Sequence, residues 1–111
     1  MTDQIPIVDP SRQFYVSATY DETQREFVVL LGPFETHQEA LDLVATARRL
    51  AEIVDPRACW YAYGTCSSLR VSKKTGLAIE PKKAIFRPGV DGTYDAMDSD
   101  GVTVVREGLR L

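Results

Sequence analysis

The chain has 111 residues and a net charge of −3, with 44% hydrophobic and 26% charged residues. These values are typical of one soluble globular domain with a single modest core. No stretch approaches the roughly 20 consecutive apolar residues that span a bilayer, so we expect no membrane association. The first residues, 1–6, lack the positive start and apolar run of a secretory signal. We therefore expect a cytoplasmic protein.

Two cysteines, Cys59 and Cys66, are too few to indicate a disulfide scaffold. They are seven residues apart in a segment that we interpret as a strand. This odd spacing would place them on opposite faces, about 23 Å apart at roughly 3.3 Å per residue. We interpret both as buried free thiols.

The first third of the chain predicts a β-hairpin that follows a loose arm at residues 1–12. Strict alternation of apolar and polar residues over Gln13–Tyr20 favours a strand with one buried face. A polar turn, Asp21–Glu26, comes next. The continuous apolar run Phe27–Leu31 then predicts a second strand that pairs with the first.

The end of the second strand and the start of a helix are both encoded between residues 32 and 39. Proline has no backbone donor and cannot continue a central strand, so we expect the strand to end at Gly32 and Pro33. Thr36 is followed three residues later by Glu39, which is the capping-box pattern. This pattern predicts a helix that begins after Thr36.

The helix is predicted to run to Val54, because the residue before Pro56 avoids the helical conformation. Apolar residues recur along it at helical spacing and form a stripe of mostly small side chains. The stripe consists of Ala40, Leu43, Val44, Ala47, Leu50, Ala51 and Val54. Small side chains allow close packing, so we expect this stripe to lie directly against a sheet.

A third strand is predicted over Arg57–Thr65, with Trp60 on one face and both Tyr61 and Tyr63 on the other. The chain is therefore expected to have an α+β fold. Its core is a β-β-α-β unit at residues 13–66, an antiparallel sheet covered by one helix. Residues 67–111 are expected to extend the same domain, as a basic loop and one short strand over Gly101–Glu107.

Nothing in the sequence indicates an enzyme, a cofactor or a metal site. His37, the single histidine, falls in the first turn of the predicted helix, and no nucleophile or carboxylate partner is indicated for it. Part of the segment 96–107 resembles a calcium-binding loop. The matching residues are Asp98, Asp100, Gly101 and Glu107. Ala96 occupies the place of the first carboxylate, so we interpret the segment as a hairpin turn.

Three tyrosines, Tyr15, Tyr61 and Tyr63, are the candidate protein-binding residues. We expect them on the sheet face away from the helix, where tyrosine offers a large contact area at low entropic cost. This face would bind another protein or a second copy of the chain. The alternative is that the C-terminal third covers it. The covering residues would be Leu77, Ile79, Ile85, Phe86 and Val104.

Residues 70–87 carry six basic side chains and one acidic one, although the chain as a whole is acidic. The basic residues are Arg70, Lys73, Lys74, Lys82, Lys83 and Arg87. They would neutralise several phosphates, so nucleic-acid binding by this segment is the alternative function, with a strong dependence on salt. The simpler interpretation is a solvated loop, because an acidic protein repels nucleic acid elsewhere on its surface.

The segment Leu31–Ala40 (Leu-Gly-Pro-Phe-Glu-Thr-His-Gln-Glu-Ala) resembles the strand-to-helix junction of AP2-type and phage-integrase arm-binding domains. Their junction reads Leu-Gly-x-Phe-x-Thr-x-x-Glu-Ala, and the resemblance implies a three-stranded sheet with one helix. Those families hold DNA with arginine and aromatic residues on the sheet. The first two strands here carry Ser17, Thr19 and Val28 instead, so we carry over the junction and not the DNA contact.

A longer stretch, residues 14–66, is similar to small uncharacterised proteins of bacteriophages and integrative elements. The similarity lies in the hairpin, in residues 32–40, in Asp-Pro-Arg-Ala at 55–58 and in Tyr-Ala-Tyr-Gly-Thr at 61–65. Many such proteins act by binding a host protein, and anti-CRISPR proteins are one such group. The resemblance therefore implies a non-enzymatic protein-binding module of mobile-element origin, such as an inhibitor of a host defence complex.

Overall fold

A computed structural model of the chain describes residues 11–21, 26–98 and 100–111. Within these residues it has two antiparallel sheets of three strands each and few helices, so the predicted α+β class is confirmed. The predicted N-terminal arm lies outside the described residues except for its last two. Most of the predicted polar turn, residues 21–26, lies outside them as well.

The first sheet has the strand order β2-β1-β3, in which β1 is Arg12–Asp21, β2 is Glu26–Phe34 and β3 is Ala62–Leu69. Successive residues of a strand point to opposite faces. Val16 and Ala18 of β1 therefore lie in the main core, and Tyr15 lies on the other face. The predicted first strand is confirmed.

The prediction that the second strand ends at Gly32 and Pro33 is wrong. The strand continues to Phe34, which pairs with Phe14. A register shift in the pairing of β1 with β2 accommodates Gly32 and Pro33. In addition, β2 is an edge strand, where proline is tolerated. Gly32 has φ +124°, and the peptide bond to Pro33 is cis. A Cβ at Gly32 would lie 2.8 Å from Tyr15 Cδ1.

The predicted helix start is confirmed. Thr36 Oγ1 accepts a hydrogen bond from Glu39 N at 3.2 Å and donates one to Glu39 Oε1 at 3.0 Å. The helix is divided, however, into α1 (His37–Asp42) and α2 (Val44–Val54). Leu43, with φ −106° and ψ 6°, separates them, and nothing in the local sequence explains the break.

The small-residue stripe packs on the first sheet as expected. Its buried members are Ala40, Ala47, Leu50 and Ala51. Leu43 and Val44 are half-buried against the same core. Val54, the last residue of the stripe, is exposed, because the end of α2 borders an open groove.

The third strand begins later than predicted. Pro56–Trp60 forms a 3-10 helix, and the side chain of Asp55 caps it by accepting a hydrogen bond from Arg57 N at 3.0 Å. Proline is favoured at the first position of a helix, and here that preference overrides the alternation that we interpreted as a strand. Trp60 and Cys59 are therefore exposed, so the prediction that both cysteines are buried is wrong.

The C-terminal third forms a second sheet, with β4 at Phe86–Pro88, β5 at Tyr94–Met97 and β6 at Val104–Leu109 in the order β4-β5-β6. The sequence predicted one strand here, beginning at Gly101, and missed the two others. Both of those strands are only three or four residues long, too short to show a clear alternation.

The second sheet joins the first at the outer edge of β2. Ile85 N donates a hydrogen bond to Val29 O at 3.0 Å, and Met97 N donates one to Ile85 O at 2.7 Å. Phe86 and Leu109 belong to the same buried cluster as Val16 of β1. The C-terminal segment thus completes the core that the helices and the first sheet begin.

Candidate protein-binding groove

The structure does not bring the three predicted tyrosines together. Tyr15 pairs with Cys66 across β1 and β3, whereas Tyr63 pairs with Ala18, the residue of β1 that faces the helices. Tyr15 and Tyr63 therefore lie on opposite faces of the sheet. The prediction of one tyrosine-rich face away from the helix is wrong. It depended on how β1 pairs with β3, which are distant in the chain, and their pairing decides which face each tyrosine occupies.

Tyr15 is fully buried and is not accessible to a partner. Its hydroxyl accepts a hydrogen bond from Lys82 N at 2.9 Å, and Ala84 packs in the same small cluster. The C-terminal third thus covers this tyrosine, as our alternative interpretation had it, although it does so with residues 82–84. Leu77, Ile79 and Val104, which we expected to contribute, are exposed, and Ile85 and Phe86 pack in the main core instead.

Tyr61 lines an open groove of about 330 Å³ between the C-terminal end of α2, β2 and the residues that lead into β4. Nearly all of its lining is apolar or aromatic. The lining residues are Tyr20, Val28, Leu30, Ala51, Val54, Asp55, Ala58, Tyr61, Ile85 and Phe86. Its size is at the lower end of the range for ligand-binding pockets.

The single carboxylate of the groove is already engaged. Arg57 donates from Nε to Asp55 Oδ1 at 3.1 Å and from Nη2 to Asp55 Oδ2 at 3.2 Å. These hydrogen bonds lower the pKa of Asp55 below its ordinary value. The groove therefore presents no unpaired charge of its own and suits an uncharged, apolar occupant.

Aromatic rings extend the surface beside the groove. The ring centres of Tyr20 and Tyr61 are 6.0 Å apart, and those of Tyr61 and Tyr63 are 6.5 Å apart. The Tyr63 hydroxyl donates to Ala58 O at 2.7 Å, and burial raises the pKa of Tyr63. Tyr63 thus holds the 3-10 helix onto the sheet, whereas Tyr61 borders the groove itself.

Trp60 is the residue that the sequence analysis missed. It is 86% exposed, although tryptophan is usually among the more buried residue types. Its 3-10 helix contributes Ala58 to the groove, and Tyr61 follows directly in the chain. The available signal was the dipeptide Asp55-Pro56, which indicates a capped helical turn and so removes Trp60 from the sheet.

The six basic residues of the 70–87 segment have different local surroundings. Arg70 Nε donates to Arg12 O at 3.0 Å, and Arg87 donates to Gly101 O. Lys83 passes so close to Gly101 that a Cβ there would lie 2.6 Å from Lys83 Cβ. Two of the remaining three, Lys73 and Lys74, are exposed in a turn at residues 72–77, and Lys82 Nζ lies 5.9 Å from the ring centre of Phe27.

His37 and the acidic turn have local partners. His37 Nε2 is 3.0 Å from Thr65 Oγ1, and its ring lies 5.8 Å from that of Phe14. The neighbouring Asp98 carboxyl, followed by the backbone donors Val102 N and Thr103 N, lowers the pKa of Asp100 to about 2, and the Asp100 carboxyl raises the pKa of Asp98. Among the described residues, no group of three or more His, Cys, Asp or Glu side chains is placed to hold a metal ion.

Comparison with protein-family models, with curated proteins and with solved structures gave no match for this chain. In the part of the chain that the structure describes, no helix has the length and apolar character needed to cross a membrane.

Proposed function

We propose that this chain is a non-enzymatic protein-binding module whose contact surface is the apolar groove together with Trp60. The observation that carries the proposal is an indole that is 86% exposed beside a groove of about 330 Å³. Exposed apolar surface next to a concave site is typical of protein interaction sites, and tryptophan and tyrosine are enriched among the residues that dominate binding energy.

The occupant that we propose is a protein surface that presents a large uncharged side chain, such as leucine, methionine or phenylalanine. The apolar lining favours such a side chain, and the pairing of Asp55 with Arg57 leaves no charge for a ligand to neutralise. Trp60 lies outside the groove, where it adds contact area for a partner larger than a small molecule. The partner would cover the indole while its side chain enters the groove.

A mobile-element origin and the inhibition of a host defence complex remain predictions from the resemblance, and so does the alternative of nucleic-acid binding. Cytoplasmic location is part of the proposal and is supported by the two free cysteines, one of which is exposed. Titration with DNA and RNA at about 50 mM salt tests the alternative, because contacts with phosphate are strongest there. Binding at that salt would favour nucleic acid over a protein partner.

Selection from a random peptide library on the immobilised chain tests the groove directly. Trp60 is the single tryptophan, so its fluorescence reports burial of the indole in the unmodified protein. We expect enriched peptides to carry a large apolar residue and to shift the emission to shorter wavelength. Trp60→Ala should weaken their binding about 30-fold, the effect of a loss of about 2 kcal/mol at a dominant contact.

Val90→Ala is the matched control, because Val90 is 78% exposed and belongs to the turn between β4 and β5, outside the groove. It should leave peptide affinity unchanged. The proposal fails if no peptide is enriched, or if the enriched peptides bind the Trp60→Ala variant as tightly as the original chain. Binding of a small apolar dye without any peptide enrichment would instead identify a small-molecule site.

A further inference from the structure

The two outer strands of the first sheet differ in what lies beyond them. At β2 part of the outer edge is occupied, because Val29 O accepts the hydrogen bond from Ile85 N. At β3 the backbone hydrogen bonds of the described structure all run to β1, over eight consecutive pairs from Arg12↔Leu69 to Thr19↔Ala62. Among the described residues, the first sheet therefore has one partly occupied edge, at β2, and one open edge, at β3.

The register identifies the groups at the open edge. Arg70 N donates to Ser11 O, and hydrogen-bonded and non-hydrogen-bonded pairs alternate along antiparallel strands. Every second residue of β3 thus directs its N–H and C=O away from β1. These residues are Tyr63, Thr65, Ser67 and Leu69. The intervening residues, such as Gly64 and Cys66, bond inward to β1.

The open edge lacks the features that usually prevent strands from adding to a sheet. Residues 62–69 contain no charged residue and no proline, and the pairing of β3 with β1 has no register shift. One outer strand of the second sheet, β6, is different: it carries Arg106 and Glu107, and its pairing with β5 has two register shifts. Charges and bulges protect strand edges, so β6 is protected and β3 is not.

We infer that β3 binds β3 of a second copy of this chain, which joins the two three-stranded sheets into one antiparallel six-stranded sheet. A two-fold axis requires one residue to lie opposite itself, and Cys66 can occupy that place in a non-hydrogen-bonded pair. Tyr63 then lies opposite Leu69 of the second copy. Thr65 lies opposite Ser67 of the second copy, and their outward backbone groups pair.

A second copy is the occupant because the strand is complementary to itself. An uncharged strand meets no like charge when it pairs with its own copy, and like charges directly opposite each other destabilise a sheet. Tyr63 and Leu69 are both half-buried at this edge, and an aromatic–aliphatic pair across the two strands would cover both. An interface of one strand pair is small, so we expect a concentration-dependent dimer of micromolar-to-millimolar affinity.

Sedimentation of the full chain from about 1 µM to about 1 mM tests the inference with two variants of one residue. Ser67→Pro removes the outward N–H, while Ser67→Ala keeps it. Both remove the same side-chain acceptor, which binds Arg12 Nη1 at 3.1 Å. The original chain and Ser67→Ala should dimerise alike, and Ser67→Pro should remain monomeric with a native circular dichroism spectrum.

Amide hydrogen exchange provides a readout that needs no variant. With rising protein concentration, the amides of Tyr63, Thr65, Ser67 and Leu69 should become protected, while Gly64 and Cys66 amides, already bonded to β1, should not change. A chain that stays monomeric up to about 1 mM would overturn the inference, even if the edge binds a strand of another protein. Equal dimerisation of folded Ser67→Pro and Ser67→Ala would overturn it as well.

Discussion

The two sheets of this protein have three strands each and are stabilised in different ways. In the first sheet, β1 has a neighbouring strand on each side and buried residues on both faces, such as Tyr15 and Val16. In the second sheet, β6 has five of its six residues exposed. The second sheet therefore depends on a few contacts with the first, and we expect it to open locally at a lower free energy.

Phe86 is the large buried side chain that anchors the second sheet in the shared core, and its removal should have the largest effect. Phe86→Ala is expected to lower the free energy of unfolding by about 3–5 kcal/mol, the usual cost of such a truncation. Urea denaturation measures the loss. Hydrogen exchange should show that β5 loses protection before β1.

Val90→Ala serves as the control for Phe86→Ala, because Val90 is exposed and belongs to the same half of the chain. Its effect should stay within about 0.5 kcal/mol. Simultaneous loss of protection in β1 and β5 would show that the two sheets unfold as one unit, and the contrast between them would then not hold.

Substitution of Gly32 tests the packing of the first sheet where the backbone lies close to Tyr15. A Cβ there would lie 2.8 Å from Tyr15 Cδ1 and 2.9 Å from Phe14 O, and φ is +124°. Gly32→Ala therefore adds backbone strain to overpacking, and we expect a loss of about 3 kcal/mol in chemical denaturation.

Gly64→Ala is the matched control for Gly32→Ala, since Gly64 is in the same sheet and a Cβ there meets nothing within 4 Å. It should change stability by no more than about 0.5 kcal/mol. If the two glycine variants were equally stable, the crowding around Gly32 would not contribute to the rigidity of the first sheet.

The smallest expected effect is in the acidic turn of the second sheet. Asp100 Oδ1 accepts hydrogen bonds from Val102 N at 2.6 Å and Thr103 N at 3.0 Å, and the pKa of Asp100 is lowered to about 2, first by Asp98 and then by these donors. The same interaction between the two carboxyls raises the pKa of Asp98, so its effects on the two residues oppose each other. The backbone donors leave a net stabilisation by ionised Asp100.

A carboxylate whose pKa is lowered by folding stabilises the protein above its unfolded pKa of about 3.9, and this stabilisation is lost as the pH falls through about 2. Asp100→Asn should therefore lower the thermal midpoint slightly at about pH 5, and the difference from the original chain should shrink towards about pH 2. If the difference in thermal midpoint grew on acidification, the pKa of Asp100 would not be lowered by folding.

Local signals in the sequence predicted the local structure well. The alternation over Gln13–Tyr20 and the capping pair Thr36 and Glu39 each depend on residues within a few positions, and both are confirmed. The break at Leu43 and the extension of β2 to Phe34 had no such signal. The strands β4 and β5 are too short for periodicity to distinguish them from loop.

The candidate site was harder to predict because it depends on contacts between distant residues. Which face Tyr15 and Tyr63 occupy follows from the pairing of β1 with β3, more than 40 residues apart in the chain, and a shift of one residue exchanges the faces. Trp60 was assigned to a strand by alternation, although the proline at position 56 had a stronger local preference. Turn chemistry should therefore be weighed before periodicity in segments of this kind.

The hydrogen bond from Ile85 N to Val29 O bears on how far the inferred assembly can grow. It places the chain's own C-terminal half against the outer edge of β2 at Val29, so we expect an added strand to pair with β3 instead. Two copies joined at β3 would have no second open edge of this kind in the described part of the first sheet. Such growth stops at a finite complex and does not continue into a fibril.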